Sequence, residues 1–393
     1  MAKKSYFEFV CPVKLLSGRK ALSNLPYELS QLGCKKPLIV TDKGVVAAGL
    51  LAKVQASLEE GAVTTGALFD ETPVDSSDKV CSQIALLFNA NGCDAFVAIG
   101  GGSVIDTAKG ANIVVSEKGD DLLKFQGVDR IKAELRPLIV IPTTAGTGSE
   151  ATNVAVILNV ANSVKMALMS NKLYPDVAIL DPVMTLTLPP KLTAATGMDA
   201  MTHAVEAIYG LQSNPISDSL ALTAIRMLKE NLVKAVKDGS NVEARIAMAD
   251  AALIAGMAFS NSMVGMVHAL AHSCGAAGHV AHGVANSILL PYGMEYNLTK
   301  ATDRISLIAP AICDENLSGL GSKMLAQKAI EAVKMLTTEL NQVCGLPLKL
   351  SEAGIKESQL DLIAKLSIND GALTYNPEDM DKAQALEVLK KAF

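Results

Sequence analysis

The chain contains no tryptophan, aromatic residues make up only 4% of it, and charged residues only 19%. Low charge beside a hydrophobic content of 50% argues against disorder, which needs a polar, charged chain. It favours closely packed helices and a buried parallel sheet. There is no basic excess either: 35 Lys and Arg stand against 40 Asp and Glu, a formal net charge of -5 without long charge runs. That excludes the basic face of a nucleic-acid binder or of a protein held on an anionic membrane, and leaves small molecules as the expected partners. No stretch reaches the roughly 20 charge-poor apolar residues of a membrane span. Glu8, Lys14, Arg19 and Lys20 interrupt any apolar run near the start, so no signal peptide is expected. Seven cysteines, an odd number without a CxxC pair, give no disulfide framework and predict a reducing, cytoplasmic setting.

A length of 393 residues predicts roughly two domains. Short apolar runs at 36–45, 66–73, 94–99, 138–142 and 177–180 read as strands, with helical patterns running to about Glu60 and over 77–89. Continuous apolar strands between helices mean a parallel sheet covered on both faces. Val154–Asn159 and Val164–Met169, flanking the turn-like Val-Ala-Asn-Ser, read as a β-hairpin. Beyond Pro189-Pro190 every periodic segment is helical, with breaks expected at Gly210, Gly239-Ser240, Gly275, Pro291 and Gly345. The composition shifts near residue 185, which gives an α/β domain over 1–185 and an all-α domain over 186–393.

Three loops of the first domain carry candidate chemistry. The strand at 94–99 runs into Gly100-Gly101-Gly102-Ser103 and then a helix; the glycines let a ligand approach the backbone and the helix start favours a phosphate, although such turns also serve packing alone. The motif is not the Rossmann G-x-G-x-x-G. Asp42 ends an earlier strand, where it either caps a turn or accepts bonds from a ribose diol, and an acid there favours NAD over NADP. The polar loop Pro142-Thr-Thr-Ala-Gly-Thr-Gly-Ser-Glu150 follows a third strand. Ligands of open α/β sheets bind outside the carboxyl ends of strands, and all three loops belong to that edge.

Histidine is scarce, with only five in the chain, and four of them fall within Gly265–Gly283. His268 and His272 are four apart, one helical turn, and His282 follows beyond a Gly-rich break. Asp199 and His203 repeat the four-residue spacing on an Ala-rich helix. A carboxylate buried there needs a counter-charge, supplied by a core ion pair or by a metal. One carboxylate with neutral imidazoles suits a borderline divalent ion, Fe²⁺ or Zn²⁺, with a position left for an oxygen ligand.

These motifs resemble the iron-containing (group III) alcohol dehydrogenase family over nearly the whole chain: Gly100–Ser103 with Asp106 and Lys109, Pro142–Glu150, Asp181-Pro182, Gly197–Glu206, the His268 to His282 stretch and Asn376-Pro377. The resemblance implies a Rossmann-like, dehydroquinate synthase-like α/β domain that binds the dinucleotide and a helical domain that binds the metal and carries catalysis. It places the metal on Asp199, His203, His268 and His282, and an additional active-site histidine on His272; His279 has no role in it. It also implies that Asp42, Gly100, Gly101, Gly102, Ser103, Thr143, Thr144 and Lys165 contact NAD, that Phe259 lines the substrate pocket, and that the chain forms a homodimer or larger homo-oligomer. Two departures stand out: Val74-Asp75 where many members have Asn-Pro, and Ala281 where proline usually precedes the last ligand.

The implied activity is interconversion of a small primary alcohol or diol and its aldehyde by hydride transfer to and from nicotinamide C4. His272, one turn from His268, would relay the proton or merely orient substrate or cofactor. A zinc-dependent glycerol or polyol dehydrogenase of the same superfamily would share this frame. A non-catalytic nucleotide-binding assembly protein with a structural metal would leave no spare histidine, whereas His272 remains after four ligands are assigned.

Overall fold

The computed structural model describes residues 6–119, 121–161 and 164–393. The chain divides into two compact units, one of Val10–Leu188 and one formed by Pro189–Phe393 together with residues 6–9. The strands are β1 (Lys14–Ser17), β2 (Pro37–Val40), β3 (Ala67–Phe69), β4 (Ala95–Gly100), β5 (Gly127–Val128), β6 (Leu138–Pro142), β7 (Val154–Asn159), β8 (Val164–Met169) and β9 (Val177–Leu180). The helices of the first unit are α1 (Leu25–Gln31), α2 (Lys43–Ala47), α3 (Leu50–Glu60), α4 (Asp78–Ala90) and α5 (Gly102–Glu117).

Six strands form one parallel sheet in the order β1-β9-β6-β4-β2-β3. β2, β4, β6 and β9 are buried along their whole length, as continuous apolar runs require when helices cover both faces. The edge strand β1, Lys-Leu-Leu-Ser, is short and mostly exposed, so it carries no apolar run by which the sequence would announce it. The expected hairpin is present as the antiparallel pair β7 and β8; Asn162 and Ser163 of its turn lie outside the described residues. The helical pattern reaching Glu60 is two helices, because Gly49 takes a left-handed φ of 71° between α2 and α3.

A buried charge cluster fixes the loops of this unit. Lys109 of α5 is fully buried, and its Nζ donates to the carbonyls of Ser149 (2.8 Å), Thr152 (2.7 Å) and Val154 (3.0 Å) and lies 3.1 Å from the Thr152 hydroxyl. One turn earlier, Asp106 Oδ2 accepts from the Val156 N–H at 2.9 Å. Burial pulls the Lys109 ammonium down to about 8, opposed by Asp106 and Glu150, and burial pushes the Glu150 carboxyl up to about 7. The helix that opens at Gly102 is thereby bolted to the segment that follows the Thr143–Ser149 loop.

The second unit holds no strand among its described residues; its helices are α6 (Pro190–Tyr209), α7 (Pro215–Lys237), α8 (Val242–Phe259), α9 (Met266–Gly278), α10 (His282–Tyr296), α11 (Leu298–Ser306), α12 (Ala309–Ile312), α13 (Ser322–Cys344), α14 (Leu360–Ser367) and α15 (Lys382–Ala392). α6 is its centre, buried on every side from Met198 to Tyr209 and packed against α7, α8 and α10. A helix buried all round carries no polar stripe, which is why the polar residues it does hold call for a local explanation. Gly275 and Pro291 are not breaks. α9 continues through Gly275 to Gly278 and stops where His279 adopts a left-handed φ of 55°, and α10 runs through Pro291, where packing of a fully buried turn outweighs the lost N–H bond.

Replacing Lys109 by Met leaves three buried carbonyls of one segment without their donor and two carboxylates without their counter-charge. The expected cost is about 3 kcal/mol of unfolding free energy, measured by urea denaturation.

Candidate metal and dinucleotide sites

Asp199 and His203 stand one turn apart on α6, His268 lies in the first turns of α9, and His282 opens α10. Their ligand atoms all lie within 4.8 Å of one another. The start of α10 reaches α6 because residue 283 is glycine: a Cβ there would lie 2.3 Å from the Ala195 carbonyl oxygen and 3.4 Å from Asp199 Cβ. The rings of His203 and His268 stack at 4.5 Å between centroids. Phe259, at the end of α8, stacks on His203, with centroids 4.2 Å and planes 16° apart.

Burial alone would raise Asp199, but His203, His282 and His268 and the Asn286 amide bring it below the ordinary carboxylate range, so it is ionised. Burial, followed by His203 and His282, pushes His268 well below the ordinary histidine range, which leaves a neutral imidazole with a lone pair for an ion. The donors also fit an ion by spacing. His282 Nε2 stands 3.4 Å from Asp199 Oδ1, about the separation of two donors sharing one ion at bonds of roughly 2.1 Å in tetrahedral geometry.

Three polar partners of this cluster carry no role in the sequence reading. Glu206, one turn beyond His203, is fully buried, and its Oε2 lies 2.5 Å from Nδ1 of His268. Its Oε1 accepts from the Val267 N–H at 2.8 Å and the Tyr209 hydroxyl at 3.3 Å. Burial pushes its carboxyl up to about 7, against the backbone N–H groups of Gly265 and Val267. The second partner is Asn286, one turn beyond His282. Its Nδ2 donates to Asp199 Oδ1 at 2.7 Å and lies 3.1 Å from His282 Nε2 and 3.3 Å from His268 Nε2. The i, i+3 and i, i+4 spacings put both residues on the ligand faces of their helices, which is the only signal the sequence offers for them. The third, Asp370, bonds Nδ1 of His272 at 2.9 Å from a distance of 98 residues in the chain, for which the sequence holds no signal. His272 itself stacks on His282 at 5.1 Å without joining the four convergent donors. His279 is exposed.

In the α/β unit, the structure brings the expected loops to one edge. β2, β4 and β6 are neighbours, with Val40 paired to Ala98 and Gly100 to Pro142, so the segments beginning at Thr41, Gly101 and Thr143 leave three adjacent strands together. Gly101 and Gly102 press on the polar loop: a Cβ on Gly101 would meet the Thr144 hydroxyl at 3.2 Å, and one on Gly102 the Thr147 hydroxyl at 2.9 Å. The Thr143 N–H donates to the Gly100 carbonyl at 3.1 Å. The Ser103 hydroxyl donates to the Val74 carbonyl. Asp42 is the cap of α2, its Oδ1 accepting from the Val45 N–H at 2.8 Å, which bears out the capping alternative and uses one of its two oxygens. Lys165 lies on β8, where its Nζ bonds Asp75 at 2.8 Å. The acid at the Val74-Asp75 departure thus holds this lysine.

Among the described residues, no helix is long and apolar enough to cross a membrane, and all seven cysteines are unpaired. A family model described as iron-containing alcohol dehydrogenase matches residues 12–182, and one described as Fe-containing alcohol dehydrogenase family, C-terminal, matches residues 193–393. The chain is 37% identical over 384 residues to an NAD-dependent methanol dehydrogenase of Bacillus methanolicus, covering 98% of this chain and 99% of that protein. It is 37% identical over 389 residues to a 1,3-propanediol dehydrogenase of Klebsiella pneumoniae, with coverage of 98% and 99%. The solved structure of a 1,3-propanediol oxidoreductase superposes with a TM-score of 0.95 at 37% identity, covering 99% of this chain and all of that one.

Second-sphere carboxylates orient ligating histidines, and their loss weakens metal binding by about 10- to 100-fold. Glu206→Gln is expected to lower metal affinity by that factor while leaving the helical content unchanged, measured by chelator competition against circular dichroism.

Proposed function

The chain belongs to the iron-containing alcohol dehydrogenase family, and from that membership we propose that it interconverts a small primary alcohol or diol with its aldehyde, using NAD(H) and a divalent ion held by Asp199, His203, His268 and His282. The class of reaction, NAD-linked and metal-dependent, follows from the family; the assignment of individual residues rests on geometry. The convergence of one ionised carboxylate and three imidazoles within 4.8 Å carries the reading. Such an ion supplies stabilisation of negative charge on the substrate oxygen, and the nicotinamide supplies the hydride acceptor.

Within the helical unit, Asp199 provides the balancing charge, and Glu206 holds the Nδ1 side of His268 so that its Nε2 lone pair faces the ion. His272, half-exposed beside the cluster, relays the alcohol proton to solvent, and Phe259 lines the substrate pocket. Within the α/β unit, Gly100 to Ser103, Thr143 and Thr144 cradle the dinucleotide phosphates at the start of α5. Asp42 receives the ribose diol and disfavours a 2′-phosphate, while Lys165 adds a cation at the same loops. A homodimer or larger homo-oligomer working in the cytoplasm completes the reading.

The test is anaerobic purification, metal analysis, reconstitution with Fe²⁺ or Zn²⁺, and an absorbance assay of NADH with short aldehydes and diols. Failure to consume NADH at confirmed metal occupancy would sink the dehydrogenase assignment. His268→Ala and His282→Ala are each expected to lose metal and activity together. His279→Gly is expected to keep both and to gain about 1 kcal/mol in stability, since glycine relieves the left-handed backbone at 279; metal analysis and thermal unfolding check this.

A further inference from the structure

Two histidines one turn apart on α9 each meet a carboxylate at Nδ1: His268 meets Glu206 at 2.5 Å and His272 meets Asp370 at 2.9 Å. The surroundings of the two pairs differ. The His268 and Glu206 side chains are 3% and 0% exposed, those of His272 and Asp370 39% and 22%. A sealed imidazole with a carboxylate behind it is suited to hold an ion, whereas a half-open one with the same backing is suited to exchange a proton with water. His272 abuts the cluster, stacked on His282 with planes 13° apart and edge-on to His268 at 6.1 Å.

We propose that Asp370 is the positioning residue for His272: it accepts the Nδ1–H, fixes the tautomer with the lone pair on Nε2, and aims that nitrogen as the proton acceptor of the dehydrogenase reaction. The proposal rests on the alcohol dehydrogenase reading above and adds to it a residue from the far end of the chain. Asp370 is itself restrained, since its Oδ1 accepts from the Ala372 N–H at 2.9 Å while Oδ2 takes His272. Both carboxylate oxygens are therefore engaged, and the ring cannot rotate without losing its partner. Burial raises the Asp370 carboxyl, but the His272 bond and charge and the Ala372 N–H bring it below its ordinary value, so it remains an acceptor. In alcohol oxidation the hydroxyl proton would pass to Nε2 of His272, while bound NAD would supply the acceptor for the carbinol hydrogen and its electron pair. The imidazolium so formed shares its charge with Asp370 and releases one proton to solvent from its open edge; aldehyde reduction runs the same transfers backwards.

The experiment is a double-mutant cycle on the metal-loaded enzyme: wild type, Asp370→Asn, His272→Ala and the double variant, with metal content measured for each. Asp370→Asn is expected to lower kcat about 10- to 100-fold at nearly constant aldehyde KM, metal content unchanged, and to add nothing to the loss in His272→Ala. Multiplying losses, or full kcat in Asp370→Asn, would overturn the proposal and leave the dehydrogenase reading standing. An inactive wild type at full metal occupancy would overturn both. Should Asp370→Asn fold poorly, the solvent deuterium isotope effect on its residual kcat, taken below its unfolding temperature, decides: an increase over wild type supports the proposal and an unchanged value refutes it.

Discussion

A carboxylate taken out of water has to be met by opposite charge or by donors, and in the helical unit Asp199 is met by both. Three imidazoles converge on it and the Asn286 amide donates to it. Much of the unit can be understood as what that convergence requires. α6 is thick with alanine, so neighbouring helices approach closely enough for their histidines to reach one point. Gly283 lets the first turn of α10 lie directly on the α6 backbone, and a methyl group there would collide with a carbonyl that cannot move. Glu206, behind His268, is a second buried carboxylate, and its cost is offset by backbone N–H groups at the start of α9.

The α/β unit solves a different problem with similar means. Its loops beyond the strand ends are rich in glycine and hydroxyl groups, which makes them intrinsically loose. The Lys109 ammonium gathers three carbonyls of one of those segments, and Asp106 holds the next N–H along. Buried charges of this kind are satisfied in one arrangement only, so an apolar residue of equal volume would fill the space without specifying the loop.

What the sequence makes legible follows from the range of the interactions involved. The central strands announce themselves because both faces are buried and every residue is apolar, while β1 does not, being an edge strand with Lys14 and Ser17 at its ends. Asp199 with His203, and His268 with His272, are visible because helical spacing is a local property. Glu206 and Asn286 share those faces, yet their partners depend on how α6, α9 and α10 pack, which no local pattern encodes. Asp370 is beyond reach for the same reason, carried to His272 by a short turn near the end of the chain. Gly275 and Pro291 mislead because local propensity yields to a fully buried helix.

The stack of Phe259 on His203 carries a consequence for anyone reshaping this enzyme. A pocket wall is ordinarily the safest place to alter specificity, since trimming it makes room without touching the machinery. If Phe259 lines the pocket as proposed, that wall leans on the ring of a proposed ligand, so a smaller side chain at 259 that admits a longer alcohol would also free His203 to tilt. Breadth of substrate and grip on the metal are therefore traded through a single aromatic face, and a library built at this position selects for both at once.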